Sequence, residues 1–340
     1  MKRKDFLSAI VPLGATLSAM ATGQRFIDPD FAAIIPPYLQ KGDTIGICCM
    51  AGFISLADIQ PAINKMKEWG FQIKPGNTIG EKDFSFGGTD AQRTEDLQQL
   101  MDDPSIKAIM SARGGYGTVR IIDGLDFKKF AANPKWIIGF SDVTVLHAHL
   151  NRNYGIASLH SKMCNSFPDD WKKAEPIQIE TIESIRKCLL GEKMQYTAVP
   201  NINNKTGSAA GALVGGNLNT IETLAGTKSD LITKGKILFV EDKDEYLYSV
   251  DRMFWNLKRT GKLAQLKGLI IGGFKLKPDD PGEEFGRTIQ EIVLEKVKEY
   301  NYPVCFDFPV GHQKDNFALK YTVQHQLTVS NNLVSLTEIR

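Results

Sequence analysis

The sequence predicts an α/β protein: a parallel-sheet domain followed by a mixed domain richer in strand. Three observations carry this expectation. Through residues 43–140, short apolar runs alternate with helical patterns, the arrangement of a parallel sheet covered by helices. Polar punctuation at Gly191-Glu192-Lys193 and again over residues 201–205 separates this half from the rest. Beyond it strand patterns predominate, ending in two alternating runs around Asn331-Asn332, which read as a β-hairpin.

The elements follow in order. Residues 43–50 form an apolar run after Lys41-Gly42 and read as a buried strand. Residues 56–69 carry helical spacing at Ile59, Ile63, Met66 and Trp69. Residues 91–101, rich in Glu, Asp and Gln, read as a helix, 107–111 and 136–139 as strands, and 143–151 as a helix again. A further helix is expected over 177–190, and the domain boundary near residue 190. Next come 211–218, a strand at 236–240, a helix at 250–260, a strand at 268–272 and a helix at 288–300. The hairpin strands are 321–330 and 333–338. The resulting division is a leader at 1–21, an N-terminal domain at 36–165, a linker region at 166–205 and a C-terminal domain at 206–340.

The leader stands apart. Lys2, Arg3 and Lys4 precede a mostly apolar stretch over 6–17, and Ala19-Met20-Ala21 offers small residues for cleavage. This is the layout of a secretory signal peptide, so export, most naturally to a periplasm, is expected. An uncleaved tail or an amphipathic helix is the alternative, and would leave the protein cytoplasmic. No later apolar stretch has the length of a membrane span. The leader also holds three of the positive charges and one negative, so the formal charge of +2 belongs to it and the remainder is near neutral. That gives no electrostatic case for a nucleic-acid partner.

With 42% hydrophobic and 24% charged residues the chain has the composition of an ordinary globular protein. The five cysteines, Cys48, Cys49, Cys164, Cys188 and Cys305, show neither a C-x-x-C motif nor zinc spacing and read as mostly buried thiols, with a single disulfide left open. His147 and His149, two apart on a helix, face different directions and make no metal pair. No metal or cofactor is expected.

Four segments could carry chemistry. Ser141 lies between a buried strand and a helix, where free N–H groups face a developing oxyanion. Gly139 and Ser141 fit part of a G-x-S-x-G elbow, but Val143 replaces its last glycine. Serine at that place also suits a plain helix cap. Arg113-Gly114-Gly115-Tyr116-Gly117 allows close backbone approach and can supply an oxyanion N–H or cradle an anion, or can be a tight turn. Glu241, in Glu241-Asp242-Lys243-Asp244-Glu245 at a strand's end, can orient a histidine, although such a run often forms a solvated loop. His312, in the loop Phe308-Pro309-Val310-Gly311-His312, can serve as a general base or be a surface residue.

In order and content these segments resemble the LD-carboxypeptidase family of serine peptidases, which includes microcin-immunity hydrolases. The blocks are Lys41-Gly42-Asp43-Thr44-Ile45-Gly46, Gly88-Thr89-Asp90 with Arg93, Ala112 through Gly117, Gly139-Phe140-Ser141-Asp142, Val214-Gly215-Gly216-Asn217-Leu218, Glu241-Asp242 with Asp251-Arg252-Met253, and Gly311-His312. The resemblance implies a Rossmann-like N-terminal domain, a smaller β-rich C-terminal domain and an active site in the cleft between them. It implies Ser141 as nucleophile, Glu241 as the histidine's partner and His312 as base. The Asp142 N–H and a glycine N–H from Gly114-Gly115 would hold the oxyanion, with Arg113 beside the substrate. The implied substrate is a murein stem tetrapeptide losing its terminal D-alanine, and the implied assembly a homodimer. The alternatives are a hydrolase of aminoacyl or peptidyl nucleotides and an inactive murein-binding protein. Two segments depart from the family pattern: Cys49-Met50-Ala51 stands where A-P-S is usual, and His160-Ser161-Lys162-Met163 where G-P-M is usual.

Overall fold

The computed structural model describes residues 33–339, so the leader at 1–21 lies outside the described residues. The chain first builds β1 (Thr44–Cys48), α1 (Leu56–Glu68), β2 (Gln72–Pro75), α2 (Asp90–Asp102) and β3 (Ile106–Ser111). Next come α3 (Thr118–Ile121), α4 (Lys128–Ala132), β4 (Trp136–Gly139), α5 (Thr144–Tyr154) and β5 (Ser158–His160). Residues 45, 47, 109, 110, 137 and 138 are apolar and at most 1% exposed, because parallel strands are covered on both faces. The helices start on side-chain caps where the sequence supplies them. Ser55 with Asp58 and Thr89 with Gln92 form capping boxes at α1 and α2.

The strand order of this sheet is β2-β1-β3-β4-β5, all parallel. It is extended at one edge by β11 (Leu319–Tyr321), which pairs antiparallel with β5. The order reverses between β1 and β3, and in such sheets ligands bind beyond the C-terminal strand ends near that point. Arg113-Gly114-Gly115 and Ser141 follow the ends of β3 and β4 there.

Beyond β5, α6 (Pro176–Leu189) leads to β6 (Gln195–Ala198), β7 (Gly207–Asn217), α7 (Leu218–Thr223), β8 (Ile237–Lys243) and α8 (Leu247–Arg259). Then come β9 (Gly268–Lys275), α9 (Ile289–Val297) and β10 (Val304–Cys305), and after β11 the hairpin β12 (Gln324–Val329) with β13 (Val334–Glu338). The second sheet runs β10-β9-β8-β7-β12-β13-β6. It is parallel from β10 to β7 and antiparallel from there to β6.

Two sequence expectations need correction. Residues 166–205 are not a bare linker: α6 buries Ile182, Ile185, Cys188 and Leu189, and β6 closes the second sheet's edge. Residues 321–330 are not one strand. Thr322 takes φ +75°, so the chain turns there, leaving β11 in the first sheet and β12 in the second. The C-terminal segment thus contributes to both sheets.

Helix α5 lies between them, and every residue from Thr144 to Asn151 is buried. Asn151 Nδ2 donates to Thr322 Oγ1 at 3.0 Å, Lys236 Nζ donates to Asn151 Oδ1 at 3.1 Å, and the Asn217 N–H donates to Thr144 Oγ1 at 3.1 Å. A helix buried on all sides is positioned by both its neighbours. The five cysteines are all buried and free.

His147, His149, His160 and His325 are buried, and burial pushes their imidazoles down, to about 4 for His147, His149 and His325. His147 Nε2 lies 2.9 Å from Gly139 O, which can only accept, so Nε2 carries the proton and Nδ1 accepts from Ser158 Oγ at 2.7 Å. Unfolded imidazoles protonate near pH 6.5. Between that value and about 4 the unfolded chain therefore binds more protons, and stability is lost as pH falls through this window. Asp142 and Asp242 act in the opposite sense because burial raises them, but four imidazoles outweigh two carboxyls. His147, His149 and His325 each contribute on the order of 3 kcal/mol over the full window. Thermal unfolding should therefore show Tm falling steadily from pH 6.5 to 4.5. A Tm that holds or rises over that range contradicts the burial of neutral imidazoles.

Candidate active site

Ser141 is placed by strain. Strand β4 ends at Gly139, Phe140 stays extended, and Ser141 then turns to φ +61°. A 3₁₀ turn, Ser141–Val143, leads into α5. A non-glycine residue in the left-handed region is sparsely populated and persists only where its surroundings hold it. Here the holding is explicit: Gly139 O accepts from the Ser161 N–H at 3.0 Å and from His147 Nε2 at 2.9 Å. A side chain at Gly139 would meet Val143 Cγ2 at 2.8 Å, so the turn needs glycine there. The helix-cap alternative is not what the chain adopts, since neither the 3₁₀ turn nor α5 has a side-chain cap hydrogen bond.

The segment Arg113-Gly114-Gly115 comes up against this turn. A methyl group on Gly114 would sit 3.4 Å from Ser141 Cβ and 3.5 Å from its Oγ. The segment is braced from behind. Arg93 is fully buried and donates to Met50 O at 2.7 Å and to Gly117 O at 2.9 Å, and it pairs with Asp90. Arg113 Nη1 donates to Phe53 O at 3.0 Å. The Asp142 carboxyl is buried and accepts from the Thr118 N–H at 2.7 Å, tying the two loops together. Among the described residues, no hydrogen bond occupies the N–H of Asp142, Gly114 or Gly115. Free N–H groups on the two loops that meet at Ser141 suit a developing oxyanion.

Glu241 and His312 come from the other domain. Strand β8 runs through Glu241 to Lys243, so Glu241 is inside the strand rather than in a solvated loop beyond it, and it is 0% exposed. The register of β8 against β9 shifts between Val240 and Asp242. The extra residue is in β9, where Gly272 and Gly273 together face the single residue Glu241, an irregularity common beside active sites. Glu241 Oε2 accepts from His312 Nδ1 at 2.6 Å and from the His312 N–H at 3.2 Å. A carboxylate on Nδ1 fixes the neutral imidazole with its proton there and leaves Nε2 as an acceptor. The ring of Phe140 packs 4.8 Å from that of His312.

The loop carrying His312 is set by Gly311, at φ +109° with its N–H donating to Asn316 Oδ1 at 2.8 Å. A Cβ on Gly311 would overlap Glu241 Cβ. Asp242 points the other way from its neighbour. It accepts from Asn217 Nδ2 at 2.8 Å and the Asn219 N–H at 2.9 Å, and burial, with Glu241 adjacent, pushes it up to about 6.

Ser141, Gly114, Gly115, Asp142, Arg113 and His312 all line one cavity of about 530 Å³ between the domains, and Glu241 lies behind His312. Every candidate from the sequence therefore meets at one place. Sequence reasoning missed Asn316, which sets the His312 loop, and the role of Asn217 as a strut to Asp242. Asn217 carried a signal only as part of the Gly-Gly-Asn block, and Asn316 carried none.

The model of the LD-carboxypeptidase N-terminal domain matches residues 45–161, and that of the C-terminal domain matches residues 210–327. A probable murein peptide carboxypeptidase of Bacillus subtilis is 30% identical over 84% of this chain and 88% of its own length. The microcin C7 self-immunity protein MccF of Escherichia coli is 27% identical over 88% of this chain and 95% of its own. The crystal structure of muramoyltetrapeptide carboxypeptidase from Oxalobacter formigenes superposes with a TM-score of 0.76 at 26% identity, covering 87% of this chain and 99% of that one.

The packing at Gly311 is open to test by urea denaturation. Gly311→Ala should cost more than about 3 kcal/mol, because overlap with a buried side chain adds to backbone strain. Gly42→Ala, also at positive φ but with open space around it, should cost only about 1–2 kcal/mol. Equal costs would contradict the contact between Gly311 and Glu241.

Proposed function

The chain belongs to the LD-carboxypeptidase family and is a serine carboxypeptidase, and from that premise we propose that it releases the terminal D-alanine from murein tetrapeptide stems, with Ser141, Glu241 and His312 as its triad. The observation that carries the proposal is the Glu241–His312 pair, in which Nδ1 is held by the carboxylate while His312 lines the same cavity as Ser141.

In the proposed reaction Ser141 Oγ attacks the carbonyl of the bond before D-alanine while His312 Nε2 takes its proton. Charge on the carbonyl oxygen is met by the N–H groups of Asp142 and of Gly114 or Gly115. Glu241 holds the tautomer and stabilises the imidazolium. His312 then gives its proton to the departing amine, and the C–N bond breaks. Water, deprotonated by His312, attacks the ester, and the proton returns to Ser141 Oγ as the acyl group leaves. The names of two relatives, a murein peptide carboxypeptidase and a muramoyltetrapeptide carboxypeptidase, support this substrate class. The leader-like first 21 residues support export to the compartment where murein lies. A homodimer remains part of the proposal.

The test uses purified protein with murein tetrapeptide and, separately, with a peptidyl-nucleotide analogue. Wild type should release D-alanine, and Ser141→Ala should be slower by about 10⁴-fold or more. Cleavage of the nucleotide analogue without loss of D-alanine from tetrapeptide would move the chain to the microcin-immunity side of the family.

A further inference from the structure

A second cavity, of about 500 Å³, adjoins the first across Phe140, Asn165, Lys243 and His312. His312 is a wall of both, whereas Ser141 and Gly114 line only the larger. The two differ in charge. The larger carries Asp142, Asp242, Asp244 and Glu245 with Arg113, the smaller carries Lys162, Lys275 and Lys314, and Lys243 is shared.

Two of these lysines are already paired, Lys314 with Glu175 at 2.5 Å and Lys243 with Asp244 at 2.9 Å. Among the described residues, Lys162 and Lys275 have no carboxylate at ion-pair distance. Lys162 is the more enclosed of the two. Its Nζ donates to Gln313 O, next to His312, and lies 5.6 Å from the Phe140 ring centroid. Burial holds its ammonium below the ordinary lysine value. Glu241 and Asp315 act favourably on it through space, but among the described residues no carboxylate is within ion-pair distance, and an ammonium bonded to a single carbonyl has donors left for an anion.

Carboxypeptidase chemistry supplies that anion. The leaving amino acid carries the substrate's terminal carboxylate. Its nitrogen must lie beside His312, which reprotonates it, and so its remaining atoms lie on the side of His312 away from the oxyanion donors. That side is the smaller cavity. We propose that this lysine-lined cavity holds the leaving residue and that Lys162 is the specificity residue that binds its terminal carboxylate. The inference rests on the carboxypeptidase reading above. The space far exceeds an alanyl side chain, so charge rather than a close fit selects the leaving residue.

Binding is measured apart from turnover. In a Ser141→Ala background, calorimetry compares a murein tetrapeptide bearing a free C-terminal carboxylate with the same peptide as its C-terminal amide. The acid should bind more tightly. Adding Lys162→Met should weaken the acid by roughly 10- to 100-fold and the amide by less than about 3-fold, and Lys162→Arg should recover most of the difference. Equal weakening of both peptides would reduce Lys162 to a brace for the His312 loop and overturn the proposal. So would an acid preference that survives Lys162→Met, or no acid preference at all. D-alanine release by the enzyme with Ser141 intact is scored separately. Release with a preference indifferent to Lys162 sinks only the inference. A Lys162-dependent preference without release sinks only the tetrapeptide reading.

Discussion

The hydrogen bonds from His312 to the buried carboxylate of Glu241 are the constraint on which the site depends. One oxygen, Oε2, accepts from both the ring and the backbone of the same residue, so tautomer, ring direction and loop position are set together. A carboxylate wholly out of water is costly unless its hydrogen bonds are made; both bonds here fall on Oε2, the buried Oε1 has no hydrogen-bond partner among the described residues, and fixed geometry holds the pair in place. The extra residue of β9 falls opposite Glu241, Gly311 allows the loop to pass against its side chain, and Asn316 holds the Gly311 N–H. Asp242, next in sequence, is turned away and satisfied by Asn217 and Asn219, so two adjacent buried carboxyls do not compete for one partner.

The first domain answers with a strained serine. Its φ of +61° stands at the junction of β4 and the 3₁₀ turn, fixed by bonds to Gly139 O. Because α5 is buried between the two sheets, the turn at its start is held by both domains. β11 adds a second tie, since the C-terminal segment completes the N-terminal sheet before entering its own. The two halves of the site are thus joined by packed elements rather than by a flexible linker.

Much of this was legible in the sequence. The apolar runs at β1, β3 and β4 and the helical patterns of α1 and α2 fall within two residues of the elements found, because burial on both faces writes an unbroken apolar signal into the strands. β5, β6 and β11 were not legible, being three or four residues long and held by pairing with distant strands. Glu241 reads as a loop residue by its acidic neighbours, yet lies in a strand paired with Asn217 of β7, and the histidine it holds is 71 residues away. Pairings at that distance leave no local pattern, and the ordered family blocks were what brought Ser141, Glu241 and His312 together. Lys162 showed only as a departure from those blocks, and its neighbours in the fold gave that departure a physical meaning.

The central claim is that Ser141, Glu241 and His312 act as one unit, and the direct test is the additivity of their losses in kcat/KM for D-alanine release. Groups that share one proton transfer are grossly non-additive. Ser141→Ala, His312→Gln and the triple variant with Glu241→Gln should therefore fall to a common floor, with Glu241→Gln alone down by about 10³- to 10⁴-fold. Losses that multiply from single to triple variant, or a Glu241→Gln enzyme close to wild type, would contradict it.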